Sequence, residues 1–367
     1  MHRAQKKYYE ALHWLDSQNQ NKIVPGLERI AELMNILKNP QKKLKLIIIG
    51  GTNAKGSTCF NLNHNLTRKG FKIGCFTSPH IHSVRERIRI GSELIKIEDF
   101  ADLINSLKDI IEEYNIEATY FEILTAAAYQ YFHIKKVDYA IMEVGLGGEW
   151  DAVNVGNAKI AILTTLGIDH VDYLGSDIEG IARTKAKIVR SNTNVITGWP
   201  KEYHKLIPKG DSLTYSTSKK DWIQYTLQFL NIDKDVKMIK IPGRYEKAEN
   251  FVIDTAHNSQ AIQYLISKEK KYEVIIIGAM KDKDIESMIS HLPKTCEIFV
   301  CNLKTERAAD SNELARICAK LGYKHRQFNS VKKAMEFTEN KRTLVTGSFY
   351  TVSEARKYLQ LNGHSEL

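Results

Sequence analysis

No apolar run in this 367-residue chain is long enough to cross a bilayer, so nothing in it reads as a membrane-spanning helix. Its opening stretch, Met1-His2-Arg3-Ala4-Gln5-Lys6-Lys7, lacks the apolar core of a secretory signal, and the expected compartment is the cytoplasm. Cysteine is scarce: Cys59, Cys75, Cys296, Cys301 and Cys318 form no CxxC pair. An odd, scattered set reads as reduced thiols and excludes a disulfide framework. Internal repeats and long low-complexity tracts are absent. The net charge of +10 raises the question of nucleic acid. However, the lysines are spread along the chain and no recognition module is visible. Compositional bias, or a basic surface suited to anionic small substrates, accounts for the charge, so neither nucleic acid nor membrane is expected as a partner.

What is present, 43% hydrophobic and 26% charged residues, is ordinary for a soluble globular protein, and the length suits two domains. Apolar, β-branched runs at Leu44–Gly50, Lys72–Phe76, Tyr139–Glu143, Ile160–Thr164 and Asn194–Thr197 read as strands. Helix-period segments at Ser57–Lys69, Ile97–Tyr114, Phe121–His133 and Ile178–Arg190 lie between them. This alternation predicts an α/β fold with a mostly parallel sheet flanked by helices and ligands at the strands' carboxyl ends. From Trp199 to Lys240 the pattern weakens into turn and loop signals, and Ile241-Pro242-Gly243 punctuates. A second alternation follows, with strands at Phe251–Asp254, Val274–Gly278, Ile298–Cys301 and Leu344–Thr346. Its helices are expected at Ala261–Lys268, Ser311–Leu321 and Tyr350–Leu359. The expectation is an N-terminal P-loop-type domain over 1–240 and a smaller, Rossmann-like α/β domain over 241–367.

Leu46-Ile47-Ile48-Ile49-Gly50-Gly51-Thr52-Asn53-Ala54-Lys55-Gly56-Ser57-Thr58 carries the strongest chemical signal. A buried strand runs into glycines, a lysine and hydroxyl residues at the start of a helix. Free backbone N–H groups and a helix N-terminus favour anionic oxygens, and the lysine adds a full charge. The commonest nucleotide-loop spacing is not met, because Ala54 precedes Lys55 and Gly56 separates it from Ser57. The plain alternative is a glycine-bearing turn with a surface lysine.

Other segments gain meaning from their position. Thr77-Ser78-Pro79-His80 follows a strand, where a held hydroxyl could help ligate Mg²⁺, although a Ser-Pro turn is the plain reading. Arg85-Glu86-Arg87-Ile88-Arg89-Ile90 is either an edge strand with a solvated face or a source of arginine for an anionic substrate. Glu143-Val144-Gly145-Leu146-Gly147-Gly148 puts a carboxylate at a strand's carboxyl end, suited to Mg²⁺, before glycines that admit a ligand close to the backbone. Asp169-His170-Val171-Asp172 could be a metal or base site, or a polar loop with a helix cap. Lys185 reads as a solvated helical lysine. If it is buried, its amine is available to take up CO₂ as a carbamate, an anionic ligand for a second metal. Pro242-Gly243-Arg244, Asp254-Thr255-Ala256-His257-Asn258 and Thr346-Gly347-Ser348-Phe349-Tyr350 are strand-end or hinge segments of a second domain. Their polar groups either cap helices or face a nucleotide.

Taken in order, these segments resemble the folylpolyglutamate synthase/dihydrofolate synthase family, within the Mur ligase superfamily. Gly51–Thr58, Thr77–His80, Glu86–Ile88, Phe121–Ala128, Glu143–Gly148, Asp169-His170, Pro242–Arg244, Asp254–Asn258 and Thr346–Ser348 before Tyr350 carry the likeness, which spans nearly the whole chain. The resemblance implies a ligase that is monomeric, binds small molecules and uses ATP and two Mg²⁺. Gly51, Thr52, Asn53, Lys55, Gly56, Ser57 and Thr58 would hold the phosphates. Arg244, Asp254, His257 and Asn258 would reach ATP from the C-terminal domain. Ser78 and Glu143 would bind one Mg²⁺, and His170 with carbamylated Lys185 a second. Lys55, His170 and Lys185 would be catalytic, and His80, Arg87 and Ser348 would contact substrate. The implied reaction joins glutamate to dihydropteroate or a reduced folate through an acyl phosphate.

The chain departs from the family pattern in places. Ala54 stands where the family has glycine. Glu149-Trp150-Asp151-Ala152-Val153-Asn154 replaces Arg-Leu-Asp-Ala-Thr-Asn, and Ser83-Val84-Arg85 replaces Arg-Phe-Asn. The stretch between Arg190 and Pro242 is also short. These departures leave room for the same ligase acting on a modified pterin or another carboxylate, and Ala54 for a nucleotide-binding regulator without catalysis.

Overall fold

A computed structural model describes residues 3–18, 24–269 and 271–363, so Met1 and His2 of the polar N-terminal stretch lie outside the described residues. Two compact units are present. The first gathers the described residues up to Pro79 with Val84–Ile168 and Leu174–Ile239. The second gathers His80–Ser83, Asp169–Tyr173 and the described residues from Lys240 onward. Among the described residues no helix is long and apolar enough to cross a membrane.

In the first stretch of chain the elements run α1 (Arg3–Ser17), α2 (Glu28–Ile36), β1 (Leu46–Gly50), α3 (Lys55–Arg68), β2 (Ile73–Phe76), β3 (Ile88–Ile90), β4 (Glu93–Leu94) and α4 (Ile97–Glu113). They continue with α5 (Tyr120–Ile134), β5 (Tyr139–Glu143), β6 (Ala158–Leu163), α6 (Val171–Leu174), α7 (Ile178–Ala186), β7 (Asn194–Thr197), β8 (Ser212–Tyr215) and α8 (Lys219–Phe229). The eight strands form one sheet in the order β4-β3-β2-β5-β1-β6-β7-β8, parallel except at β2–β3 and β3–β4. β1 is central and buried on both faces, which is why it reads as an unbroken apolar run. Leu46 and Ile48 pack with α1, α2, α4, α5 and α7. Ile47 and Ile49 pack with α3 and α8.

Several expectations change here. The stretch expected to be loop after Trp199 contains β8, a parallel edge strand, and α8, whose N-cap is Ser218 accepting from the Asp221 N–H. Residues 216–218 are loop as expected, but Lys219-Lys220-Asp221 opens the helix, and the strand escaped because Leu213 and Tyr215 are exposed. The arginine-rich segment does not supply the edge strand: Val84–Arg87 is a 3₁₀ turn, β3 pairs with β2, and β4 covers it outside.

The second unit contains β9 (Glu246–Ala248), β10 (Phe251–Ile253), α9 (Ser259–Lys268), β11 (Val274–Ile277), α10 (Ile285–Ser290), β12 (Glu297–Cys301), α11 (Ser311–Lys320), β13 (His325–Phe328), α12 (Val331–Glu336), β14 (Thr343–Thr346) and α13 (Phe349–Tyr358). Its sheet order is β13-β12-β11-β14-β10-β9, antiparallel only at β9–β10. Ile275 and Ile277 face α9, α10 and α11, whereas Val274 and Ile276 face α12 and α13. The second sheet is thus built on the same two-sided rule as the first.

Helix α3 carries buried asparagines that sequence reading passed over. Asn65 donates to the Lys237 carbonyl at 2.9 Å and accepts from its N–H at 2.8 Å, and Asn61 accepts from the Ile239 N–H at 2.9 Å. Arg68 and Lys69 pair with Asp235 and Asp233. The helix that begins in the glycine loop therefore holds the extended strap leading out of the first unit. Replacing Asn65 with alanine strips the Lys237 backbone of both side-chain bonds and should cost about 1–2 kcal/mol. Urea unfolding checks the size, and hydrogen exchange at the Lys237 amide should quicken while that of β1 is unchanged.

Candidate active site

In the first unit the loop after β1 is sewn to the chain that follows β6. Thr164 donates through Oγ1 to the Gly50 and Asn53 carbonyls, at 3.0 and 2.7 Å. Thr165 Oγ1 accepts from the Asn53 N–H at 2.8 Å, and Thr52 Oγ1 donates to the Gly167 carbonyl at 2.8 Å. Gly51 has φ +131°, and a Cβ there would lie 2.1 Å from Thr164 Oγ1, so the position admits only glycine. Sequence reading missed Thr164 and Thr165, whose residue types alone carry no site signal. Ala54 is left-handed at φ 68° and caps α3. Its carbonyl accepts from Thr58 N–H, Thr58 Oγ1 and Ser57 Oγ.

Lys55 and Lys185 meet here. Lys55 Nζ donates to the Gly51 and Thr52 carbonyls, both at 3.1 Å, and Lys185 Nζ donates to the same Gly51 oxygen at 3.3 Å. Lys185 is 3% exposed, so the solvated reading of this residue falls; it points inward from α7. Glu143, equally buried, accepts from the Ser78 N–H at 3.0 Å. A Cβ on Gly56 would sit 3.4 Å from both Glu143 oxygens, so the carboxylate lies against the first turn of α3. Two ammonium groups beside first-turn amides that have no intrahelical acceptor make a donor-rich cradle that fits a polyphosphate. A buried carboxylate at the strand end next to it fits a hard cation with oxygen ligands. Among the described residues no three His, Cys, Asp or Glu side chains gather as a preformed metal cage.

Gly145 and Gly148 after Glu143 are required by packing. A Cβ on Gly145 would meet the Phe121 ring at 2.7 Å, and one on Gly148 the Thr184 and Lys185 carbonyls at 2.8 Å. The turn is thereby pressed against the helix that carries Lys185. Asp151 caps this turn through the Leu146 and Val153 N–H groups, and burial pushes its carboxyl up to about 6 despite them. Glu149 stands 3.8 Å from Lys187. Arg87 is buried with its guanidinium 5.5 Å from the Tyr120 ring centre, while Arg85 donates to the Ile95 carbonyl.

The second unit holds His80 and a tight polar cluster. Asp169 accepts from Lys283 Nζ at 2.7 Å and from Asn258 Nδ2 at 2.9 Å, with His257 Nε2 at 3.9 Å. Its Oδ1 also accepts from the N–H of His170, whose φ is 54°. Burial alone would raise the Asp169 carboxyl, but His170, Lys283 and His257 outweigh it and hold it well below the usual carboxylate range. Asn258 takes up the capping role its position allowed, through the Ala261 N–H of α9, and also donates to Asp169. His257 Nδ1 faces the Thr255 carbonyl at 2.8 Å, which makes it the protonated nitrogen. Asp254 accepts from the Tyr245 and Ala256 N–H groups and holds the turn, with Arg244 nearby. Phe349, given no role of its own in the sequence reading, carries Arg244 at 5.1 Å on its ring and His257 at 5.8 Å between ring centres. Ser348, expected among the substrate contacts, is buried and spends its hydroxyl as the N-cap of α13.

Ala54 strains a left-handed position that glycine occupies without penalty. Ala54→Gly should raise stability by up to ~1 kcal/mol and leave nucleotide affinity unchanged, read by thermal unfolding and calorimetry. For His257, burial holds the imidazole down to about 4, Lys283 acts the same way, and Asp169 opposes them. The folded value lies below the unfolded one, so the unfolded chain takes the proton first and stability falls as pH drops from about 6.5 to about 4. His257→Gln should flatten that limb by on the order of 1–2 kcal/mol in unfolding curves taken at stepped pH.

Residues 49–253 match the profile of the Mur ligase middle domain, and residues 243–349 that of the Mur ligase glutamate ligase domain. The dihydrofolate synthase/folylpolyglutamate synthase of Bacillus subtilis is 28% identical in an alignment covering 96% of this chain and 99% of that protein. Among solved structures, Escherichia coli FolC in complex with DHPP and ADP superimposes with a TM-score of 0.85 at 26% identity, covering 98% of this chain and 99% of the other. A bifunctional folylpolyglutamate synthase/dihydrofolate synthase with Mn, AMPPNP and L-glutamate bound gives 0.85 at 26% identity, covering 96% and 98%. With one profile spanning more than half of its length and a second covering its C-terminal sheet, the chain belongs to the Mur ligase family.

Proposed function

We propose that this chain is an ATP-dependent amide ligase that joins L-glutamate to a pterin-linked carboxylate, dihydropteroate or tetrahydrofolate. The observation that carries this reading is the meeting of Lys55 and Lys185 on the Gly51 carbonyl beside the first turn of α3. The full-length likeness to FolC with ADP, and to a structure holding AMPPNP, Mn and L-glutamate, supports it. In the proposed division, residues 1–240 bind ATP and 241–367 form the ligase domain. Five buried thiols without a disulfide are consistent with a reducing, cytoplasmic compartment. The proposed working state is a monomer.

Lys55 and the loop amides from Gly51 to Thr58 hold the β- and γ-phosphates and fix the γ-phosphorus for attack. A carboxylate oxygen of the pterin substrate attacks that phosphorus, the bond to the bridging oxygen breaks, and ADP leaves. The glutamate amine then attacks the acyl carbon, the bond to the phosphate oxygen breaks, and the amine proton passes to water. Arg244, stacked on Phe349, and His257 are proposed to contact the nucleotide, with Asp254 and Asn258 shaping the turn that presents them. Arg87 and His80 are proposed to face the carboxylate substrate. Ser78 and Glu143 are the proposed Mg²⁺ ligands, and Lys185 as its carbamate and His170 are each proposed to ligate metal. Bound Mg²⁺ would neutralise charge as the phosphoryl group moves. Carbamylation of Lys185 would also relieve the repulsion between two ammonium groups that share one carbonyl oxygen.

Glu149 favours a second acceptor reading. It pairs loosely with Lys187 where the resembled family carries arginine, so a modified pterin or another carboxylate is the alternative substrate.

Lys55→Ala should lower glutamate-dependent ADP release by about 10²-fold or more, with the circular dichroism spectrum unchanged. Normal turnover in that variant would overturn the phosphate-loop assignment. Mass spectrometry after incubation with ATP, glutamate and dihydropteroate should show the acceptor heavier by one glutamyl residue. ADP release with other carboxylates and none with any pterin would replace the acceptor but keep the ligase.

A further inference from the structure

We infer that Lys283 is a positioning residue for His170, acting through the carboxylate of Asp169; this rests on the reading of His170 as a metal ligand. The segment that carries His170 is short and largely exposed. Helix α6 is four residues long and buries no side chain, and Val171 and Tyr173 are 45% and 46% exposed. The residue before it is the exception. Asp169 is 8% exposed and its two oxygens divide their work. Oδ2 takes the Asn258 amide at 2.9 Å. Oδ1 takes the Lys283 ammonium at 2.7 Å and the His170 N–H at 2.9 Å. A side chain 114 positions away thus grips the oxygen that orients the His170 backbone in its left-handed conformation.

Lys283 is itself set for this task. Its side chain is only 7% exposed, and Asp282, 3.6 Å from its ammonium, is also 3.5 Å from Arg307. The backbone around it is pinned, because the Lys283 N–H donates to the Met280 carbonyl and Lys281 N–H to the Arg307 carbonyl. Asp284, next in sequence, caps α10 through the Ser287 N–H. The lysine therefore comes from a fixed turn and reaches a short segment whose Val171 and Tyr173 are largely exposed. Partners that orient metal ligands typically alter metal affinity 10–100-fold when removed.

The test uses the full chain with Mn²⁺ and a β,γ-methylene ATP analogue, which has no bridging nitrogen. Pulsed EPR reads imidazole nitrogen coupling on bound Mn²⁺, and an EPR titration reads its affinity. Lys283→Met should weaken Mn²⁺ binding by about 10-fold or more and diminish the nitrogen coupling. Analogue affinity without metal should stay the same, and Lys283→Arg should restore much of the signal. Asp169→Asn, which keeps the shape of the side chain, should show the same loss, and combining it with Lys283→Met should add little. Unchanged coupling and affinity in folded Lys283→Met or in Asp169→Asn, while His170→Ala loses both, would overturn the inference and leave His170 as a ligand. Coupling that survives His170→Ala would overturn the ligand reading and this inference with it.

Discussion

The Gly51 carbonyl oxygen accepts from two lysine ammonium groups, while the residue that owns it is wedged against Thr164 with no room for a Cβ. Much of the first unit serves that arrangement. β1 must be central and buried so that its end is fixed to atomic tolerance. The hydroxyls of Thr164 and Thr165 must come from the neighbouring strand end, so the order β5-β1-β6 is part of the site. α7 must pack close enough for Lys185 to reach, and Gly148 removes the side chain that would hold it off. The contacts that stabilise the fold and those that aim the cations are here the same contacts.

The parts of this legible in the sequence were those with a periodic or local cause. β1, β5 and β7 were readable because a doubly covered parallel strand is an apolar run with glycine or a carboxylate at its end. The loop from Gly51 to Thr58 was readable because backbone amides, glycine and lysine have one chemistry in common. What escaped had a cause distant in sequence. Thr164 acts on Asn53, 111 positions away, and Lys283 on Asp169, 114 away. β8 escaped because an edge strand exposing Leu213 and Tyr215 shows no buried face, and α8 because its Ser218 cap is also a turn residue. Ser348 shows the same ambiguity: a hydroxyl at a strand end fits a ligand or a helix cap, and the cap on the Thr351 N–H became visible only in the fold.

Three lysines separate two uses of one residue type. Lys55 hydrogen-bonds only neutral oxygens here, the carbonyls of Gly51 and Thr52. A carbonyl dipole orients an ammonium without cancelling its charge, so Lys55 still offers that charge to an anion. Lys185 shares the Gly51 oxygen, and a carbamate there would exchange a cation for an anionic ligand. Lys283 is buried against a carboxylate at 2.7 Å, and its charge is already answered inside the fold. Such a buried pair contributes little net stability, since desolvation offsets the attraction, but losing one partner leaves the other stranded. Its value is therefore geometric: it fixes where Asp169 lies, and with it the backbone of His170. In this chain the partner, more than the lysine, decides whether the charge serves a ligand or the scaffold.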